Sequence, residues 1–217
     1  MKTIALVSIT LNAVNPMTDY LNAATEGIKV RNYLDSGLMD KIRADGRITD
    51  ESTGRMFGLL CRAAADGADG IILTCTVFSG HVPHFSALLS VPLICPDGAM
   101  LSGAAAAEGT KAIICTFEGT VLPTKALYLS YCREYRRPEE IAMYTLPEAY
   151  EAMQRGDIKR ANQLILEKVK ELDRQYDHVV LAQISMAGAV RGYRPQHAVI
   201  HTSPASAYQV LQAAMGS

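Results

Sequence analysis

The sequence is poor in the signals that mark several common protein classes. No Lys/Arg cluster accompanies the net charge of -1, so neither a nucleic-acid nor an anionic-membrane footprint is expected. The one mixed run, Cys132 to Glu140, is basic and then acidic, as at a solvated helix end. No apolar stretch is long enough to span a bilayer. The opening "MKTIALVSIT" lacks the long apolar region and cleavage site of a signal peptide and suits a first core strand. Five cysteines (Cys61, Cys75, Cys95, Cys115 and Cys132) contain no CxxC pair, which argues for reduced thiols and a cytoplasmic setting. His81 and His84 form an HxxH pair with no Cys, Asp or Glu at a familiar metal spacing, so no metal site is expected. Phosphate loops are missing too, since neither GxxxxGK[ST] nor GxGxxG occurs.

What is present is alternation. The apolar runs "TIALVSI", "IKVRNY", "GIILTC", "VPLIC", "KAIICT", "IAMYTL", "HVVLAQ" and "AVIHT" read as strands. Helical patterns separate them. One starts at Thr49 as cap, with Asp50 and Glu51 in its first turn, and runs to Gly67. Another starts at Asp157 and spaces Ile158, Ala161, Leu164, Ile165, Val169 and Leu172 along one face. Near-continuous apolar strands alternating with helices predict an α/β fold whose parallel sheets are covered on both faces.

The strands also recur at one offset. Ile4 and Ala112 (112 − 4 = 108), Asp69 and Asp177 (177 − 69 = 108) and Pro96 and Pro204 (204 − 96 = 108) hold equivalent places. Asp50 and Ile158 open the two long helices at the same spacing. The chain therefore reads as two similar Rossmann-like halves related by a pseudo-twofold, each with a mostly parallel sheet. The first comprises 1–98, completed by a C-terminal helix over 205–217, and the second comprises 99–204, with the boundary near Pro96 to Met100. Ligands of open parallel sheets bind at the carboxyl ends of strands, so a site between the halves is expected there. The loops at those ends carry many hydroxyls, among them Ser8, Thr74, Thr76, Ser79, Thr116, Thr120, Ser185 and Ser203, and only Asp97 and Glu118 are charged. Hydroxyls and backbone N–H groups can hold an anion without Arg or Lys, or can simply cap the helices that follow.

Together, "GADGIILTCTVFSG", "VPLICPDGAM", "IICTFEGTVLPT", "VVLAQISMAGA" and "VIHTSPASAYQVL" resemble the aspartate/glutamate/hydantoin racemase superfamily over nearly the whole chain. The resemblance implies two α/β halves with the active site between them and chemistry that needs no cofactor. In that family two cysteines, one from each half, flank the substrate's α-carbon, one removing a proton and the other delivering one to the opposite face. Cys75 matches the first of these and is the catalytic candidate. The second falls at 75 + 108 = 183, which is Gln183, an amide that cannot carry a proton at ordinary pH. The resemblance further assigns substrate contacts to Ser8, Thr76, Thr116 and Thr120, with Gln183 and Ser185 as hydrogen-bond donors. The segment from Leu11 to Tyr20 is expected to form a flap, where Asn12 and Asn15 contact ligand or shape a turn.

The expected function is that of a cofactor-independent racemase or isomerase acting at the α-carbon of a small carboxylic or amino acid-like substrate. Three uses of a single thiol remain open. A malonate-type decarboxylase needs only one proton donor, as in the superfamily's arylmalonate decarboxylases, although their cysteine belongs to the other half. A nucleophilic thiolate would serve a maleate-type cis–trans isomerase. A racemase would need another acid or base, for which Tyr193, His201 or a water held by Gln183 and Ser185 are the candidates. A non-catalytic small-molecule binder that lost the second cysteine is the alternative from a different class. The expected partner is a small carboxylate, and relatives suggest a homodimer.

Overall fold

The computed structural model describes residues 1–24 and 27–216, apart from a few side chains near the ends of the first helix. Their contacts divide the chain into two units, Met1–Pro96 with Ala207–Ser217, and Asp97–Ser206.

The first unit contains β1 (Lys2–Ser8), α1 (Leu11–Ala24), β2 (Ile28–Leu34), α2 (Ser36–Asp45), α3 (Asp50–Ala65), β3 (Gly70–Leu73), α4 (Val82–Leu88) and β4 (Leu93–Ile94). Its four strands are all parallel, in the order β2-β1-β3-β4. The chain passes through α5 (Pro96–Ala106) into β5 (Lys111–Cys115), α6 (Val121–Glu134), β6 (Ala142–Thr145), α7 (Pro147–Gln154), α8 (Ile158–Leu172), β7 (His178–Leu181) and β8 (Val199–Thr202). The second sheet repeats the order as β6-β5-β7-β8, again all parallel. The last helix, α9 (Ser203–Ala214), begins in the second unit and ends in the first. All eight strands expected from the sequence are present.

Burial explains why these runs become central strands. On β5, Ala112 and Ile114 belong to a core with Ile165, Val169 and Leu172 of α8, while Ile113 and Cys115 face Met100, Leu101, Tyr128 and Cys132 on the other side of the sheet. Each buried Ile, Leu or Val contributes roughly 1.5–3 kcal/mol. The helices follow the expected signals. Thr49 caps α3, with Ser52 closing the box through Thr49 N–H to Ser52 Oγ at 2.8 Å. Asp157 caps α8, whose buried stripe is Ala161, Ile165, Val169 and Leu172, while Ile158 stays exposed. Gly70 opens β3 where a Cβ would lie 2.8 Å from both Leu211 and Met215, so the absence of a side chain lets the end of α9 approach the sheet.

Three expectations need correction. The segment from Leu11 to Tyr20 is helical, not a flap: Ala13, Met17 and Leu21 recur four residues apart and are buried, and this apolar stripe outweighs Pro16 and the asparagines. Asn15 is exposed on that helix, and the side chain of Asn12 lies outside the described residues. Cys132 belongs to the buried face of α6 with Tyr128 four residues earlier, although the stretch around it is polar. The repeat, finally, is not uniform. Ile4 pairs with Gly70 in the first sheet, but His178, which is 70 + 108, pairs with Lys111 in the second. The counterpart of Ile4 across the sheet is thus Lys111, at an offset of 107, and not Ala112. A one-residue slip exchanges the two faces of a strand; it is tolerated here because β1 and β5 bury both.

The segment between α8 and β8 is fastened at one point. Asp173, only 1% exposed, accepts hydrogen bonds from Tyr193 Oη (2.7 Å) and from the N–H groups of Gln196 (2.8 Å), His197 (3.0 Å) and Ala198 (2.6 Å). Burial alone would raise its pKa, but these donors outweigh that and hold the carboxyl well below its ordinary value. Replacing Asp173 with alanine leaves three backbone donors without their acceptor. The expected cost is about 3 kcal/mol or more, read as a lowered urea midpoint with an unchanged m-value.

Candidate active site

In each sheet the chain leaves the first strand toward one edge and later returns on its other side. Between β1 and β3, and between β5 and β7, the strand order therefore reverses, and the crevice at the carboxyl ends of such a pair is where open parallel sheets bind ligands. In both units that position carries the polar side chains singled out from the sequence.

In the first unit, Ser8 ends β1 fully buried, with its Oγ 2.6 Å from Thr74 Oγ1. Thr74 N–H in turn donates to Val7 O at 3.0 Å, continuing the sheet ladder past the end of β3. Cys75 follows in extended conformation (φ -123°, ψ 105°), buried at 7% exposure, and the chain then turns into a 3₁₀ segment, Thr76–His81. Cys75 O accepts from Phe78 N–H at 3.2 Å, which fixes the turn, and the Thr76 side chain is exposed beside it. At the neighbouring strand end, Cys95 lies with its Sγ 2.9 Å from Ser79 Oγ. The sequence placed Cys95 only at the end of another strand; the order β3-β4 makes that strand adjacent. His81 is stacked with Phe85 at 5.8 Å between centroids. Among the described residues no group of three or more His, Cys, Asp or Glu side chains is placed to hold a metal, and no disulfide forms.

In the second unit the central feature is a clamp. Thr116 donates to Gln183 Oε1 twice, from its backbone N–H at 2.7 Å and from its hydroxyl at 2.8 Å. A backbone N–H can only donate, so the amide is oriented with its oxygen toward Thr116 and its NH₂ the other way. Thr116 is buried and Gln183 half-buried, so the clamp is shielded from competing water. Gln183 is thereby a fixed donor, and the Thr116 hydroxyl, expected to touch substrate, has its hydrogen committed to Gln183. Thr120 donates to Phe117 O at 2.6 Å and closes its own turn. Cys115, beneath it, has its thiol pKa pushed up by burial, an effect that the hydroxyls of Thr120 and Thr124 partly offset. Ser185 is half-buried in the 3₁₀ segment Ile184–Val190 that follows Gln183.

Two of the residues considered as a second acid or base are engaged elsewhere. Tyr193 is bound to Asp173, and burial followed by that carboxylate pushes its pKa up to about 12. His201 Nε2 lies 3.0 Å from His178 Nδ1, and His178 Nε2 lies 2.7 Å from Glu108 O. A carbonyl only accepts, so neutral His178 carries its hydrogen on Nε2, and His201 Nε2–H donates to His178 Nδ1. Burial, then His178 and Lys111, lower the His201 pKa to about 4. These contacts tie His201 toward the amino end of β7, away from the carboxyl ends of the strands.

Comparison with known proteins agrees with this architecture. The sequence model of the Asp/Glu/hydantoin racemases matches residues 6–210. The chain belongs to that family. Among solved structures, an aspartate racemase of Picrophilus torridus superposes with a TM-score of 0.73 at 14% identity, covering 100% of this chain and 95% of its own. The allantoin racemase of Klebsiella pneumoniae gives 0.69 at 16% identity over 98% of this chain and 87% of its own. A liganded double mutant of arylmalonate decarboxylase, with one cysteine introduced and another replaced by serine, gives 0.58 at 14% identity over 100% and 94%. At these identities the likeness is one of fold. No curated protein matches the chain. Among the described residues no helix is long and apolar enough to cross a membrane.

Two outcomes are expected from this geometry. Gln183→Met leaves the buried Thr116 N–H without an acceptor and should cost about 1–3 kcal/mol of stability, whereas Gln183→Glu retains both acceptor positions and should cost less; urea denaturation compares them. His201 stays neutral in the folded chain until about pH 4 but takes up a proton near its ordinary 6.5 when unfolded. Its contribution to stability is complete above pH 6.5 and is lost as the pH falls toward 4. The His201→Gln chain should therefore show a shallower fall in denaturation midpoint across that window.

Proposed function

We propose that the chain is a cofactor-independent enzyme acting at the α-carbon of a small carboxylic or amino acid-like substrate, with Cys75 as its single proton carrier. In this reading the role of Cys75 is the proton at the α-carbon, with Thr76 as a hydroxyl donor beside it, and the role of Gln183 is to offer its amide NH₂ to a carboxylate oxygen. The observation that carries the reading is the clamp of Thr116 on Gln183 Oε1. An amide held this way stabilises charge on a substrate oxygen but moves no proton. With Tyr193 and His201 engaged elsewhere, inversion by two opposed proton carriers would have to draw its second member from a water held by Gln183 and Ser185.

The reaction that needs only one is decarboxylation of a malonate-type acid. The bond from the α-carbon to one carboxyl breaks, carbon dioxide leaves, and the electron pair remains as an enediolate. Gln183 and the hydroxyl groups would stabilise the developing oxygen charge by fixed hydrogen bonds. Cys75 Sγ–H would then transfer its proton to one face of the α-carbon, and the thiolate would regain a proton from solvent. The fold is one that an arylmalonate decarboxylase also uses, so this reaction class is within its reach.

Proton NMR in deuterium oxide, with substituted malonates, maleate, amino acids and hydantoins offered in turn, is the deciding measurement. Loss of carbon dioxide with one deuterium entering in a single configuration is the expected result. Cys75→Ser should then lower the rate about 10²–10⁴-fold. Racemisation of an amino acid or hydantoin that survives in Cys75→Ser would sink the single-thiol mechanism.

A further inference from the structure

The amino ends of β5 and β6 border a cavity of about 570 Å³ that plays no part in the site above. Lys111 and Cys115 stand at opposite ends of β5, which at a strand's rise per residue separates them by about 13 Å. The cavity wall includes Ala107, Pro138, Ile141 and Ala142, and the charged residues Lys111, Arg137, Glu108 and Glu140.

The charges are not equivalent. Lys111 is only 8% exposed, and its Nζ donates to Gly109 O at 2.7 Å. Among the described residues no carboxylate lies within ion-pair distance of it, so a buried ammonium with three donors has one neutral acceptor. Its pKa is lowered, chiefly by burial. The acidic side chains sit in water instead: Glu140 is exposed, and Glu108, 85% exposed, already pairs with Arg137 at 3.1 Å. The ammonium in the wall is therefore deep and has no ion pair of its own, with Asp177 and Glu108 acting on it only from a distance, while the carboxylates of Glu108 and Glu140 are shallow.

The wall is also preformed. Asp177 Oδ2 accepts from Thr110 N–H at 2.7 Å and from its hydroxyl at 2.8 Å, and His178 Nε2–H holds Glu108 O. Gly109 turns between them at φ +91°, where a Cβ would lie 2.7 Å from the Asp177 carboxylate, so only glycine admits this approach.

We propose that this cavity is a second binding site, for a small apolar monocarboxylate whose carboxyl group reaches Lys111. The aliphatic wall accommodates the body, the ammonium gains the ionic partner it lacks, and the carboxylates at the rim disfavour a second negative charge. The site is independent of the reaction assigned to Cys75.

The test is titration of the full-length chain, carrying ¹³C-methyl alanine and isoleucine, with isobutyrate, isobutyramide and succinate. Isobutyrate should give saturable shifts at the methyls of Ile141 and Ala142, with isobutyramide binding at least about tenfold more weakly through loss of the charge-assisted bond, and succinate through repulsion of its second carboxylate by the rim. Lys111→Met should weaken isobutyrate by a similar factor. Ala107→Leu, which fills space without altering charge, should abolish the shifts while the rest of the methyl spectrum reports an intact fold. The proposal is overturned by the absence of saturable shifts at Ile141 and Ala142, by equal affinity for the amide, or by undiminished binding in Lys111→Met.

Discussion

The hydrogen bonds from Thr116 to the Gln183 oxygen are the contact on which the proposed chemistry rests. They join the ends of β5 and β7, the two strands between which the second sheet reverses its order. They also turn a side chain with both donor and acceptor capacity into one that offers only its NH₂. A glutamine free to rotate would present either end to a ligand, and its ordering would oppose binding. Held from two directions in a water-poor position, it is set before any ligand arrives. Orientation of that kind favours an anion and excludes proton transfer, which leaves Cys75 as the thiol on which the proposed reaction depends.

Much of the fold was legible because its strands are buried on both faces. Such strands are nearly uninterrupted apolar runs, and eight could be read directly. Thr49 and Asp157 announced helix starts because capping is a local event between a side chain and the next few N–H groups. The first helix was not legible. Pro16 and the asparagines near it carry strong local turn signals, and the competing signal, burial of Ala13, Met17 and Leu21, depends on a surface that exists only after folding. Cys132 was misread for the same reason, since polar neighbours along the chain say little about which helix face is covered.

The candidate site was legible as a set of strand ends but not as a set of contacts. Ser8, Cys75, Thr116 and Gln183 all fall at the switch points of their sheets. That Thr116 serves Gln183, that Tyr193 answers to Asp173 and that His201 answers to His178 are relations between residues far apart in the chain, and composition carries no trace of them. Lys111 illustrates the limit. In the sequence it is one basic residue ahead of an apolar strand, a place where lysines are commonly solvated, and only burial makes it unusual.

The one-residue difference in register limits the symmetry between the two halves. Continued past the strands, the first sheet sets Cys75 opposite Ile9, and the second sets Gln183 opposite Thr116. The two halves are thus unequal in backbone register as well as in the side chain at this place. A thiol at position 183 would stand opposite Thr116, whereas Cys75 stands opposite the aliphatic Ile9. A true mirror image of Cys75 in the second sheet would require β5 itself to slide by one residue, so no point substitution at 183 makes the two halves equivalent.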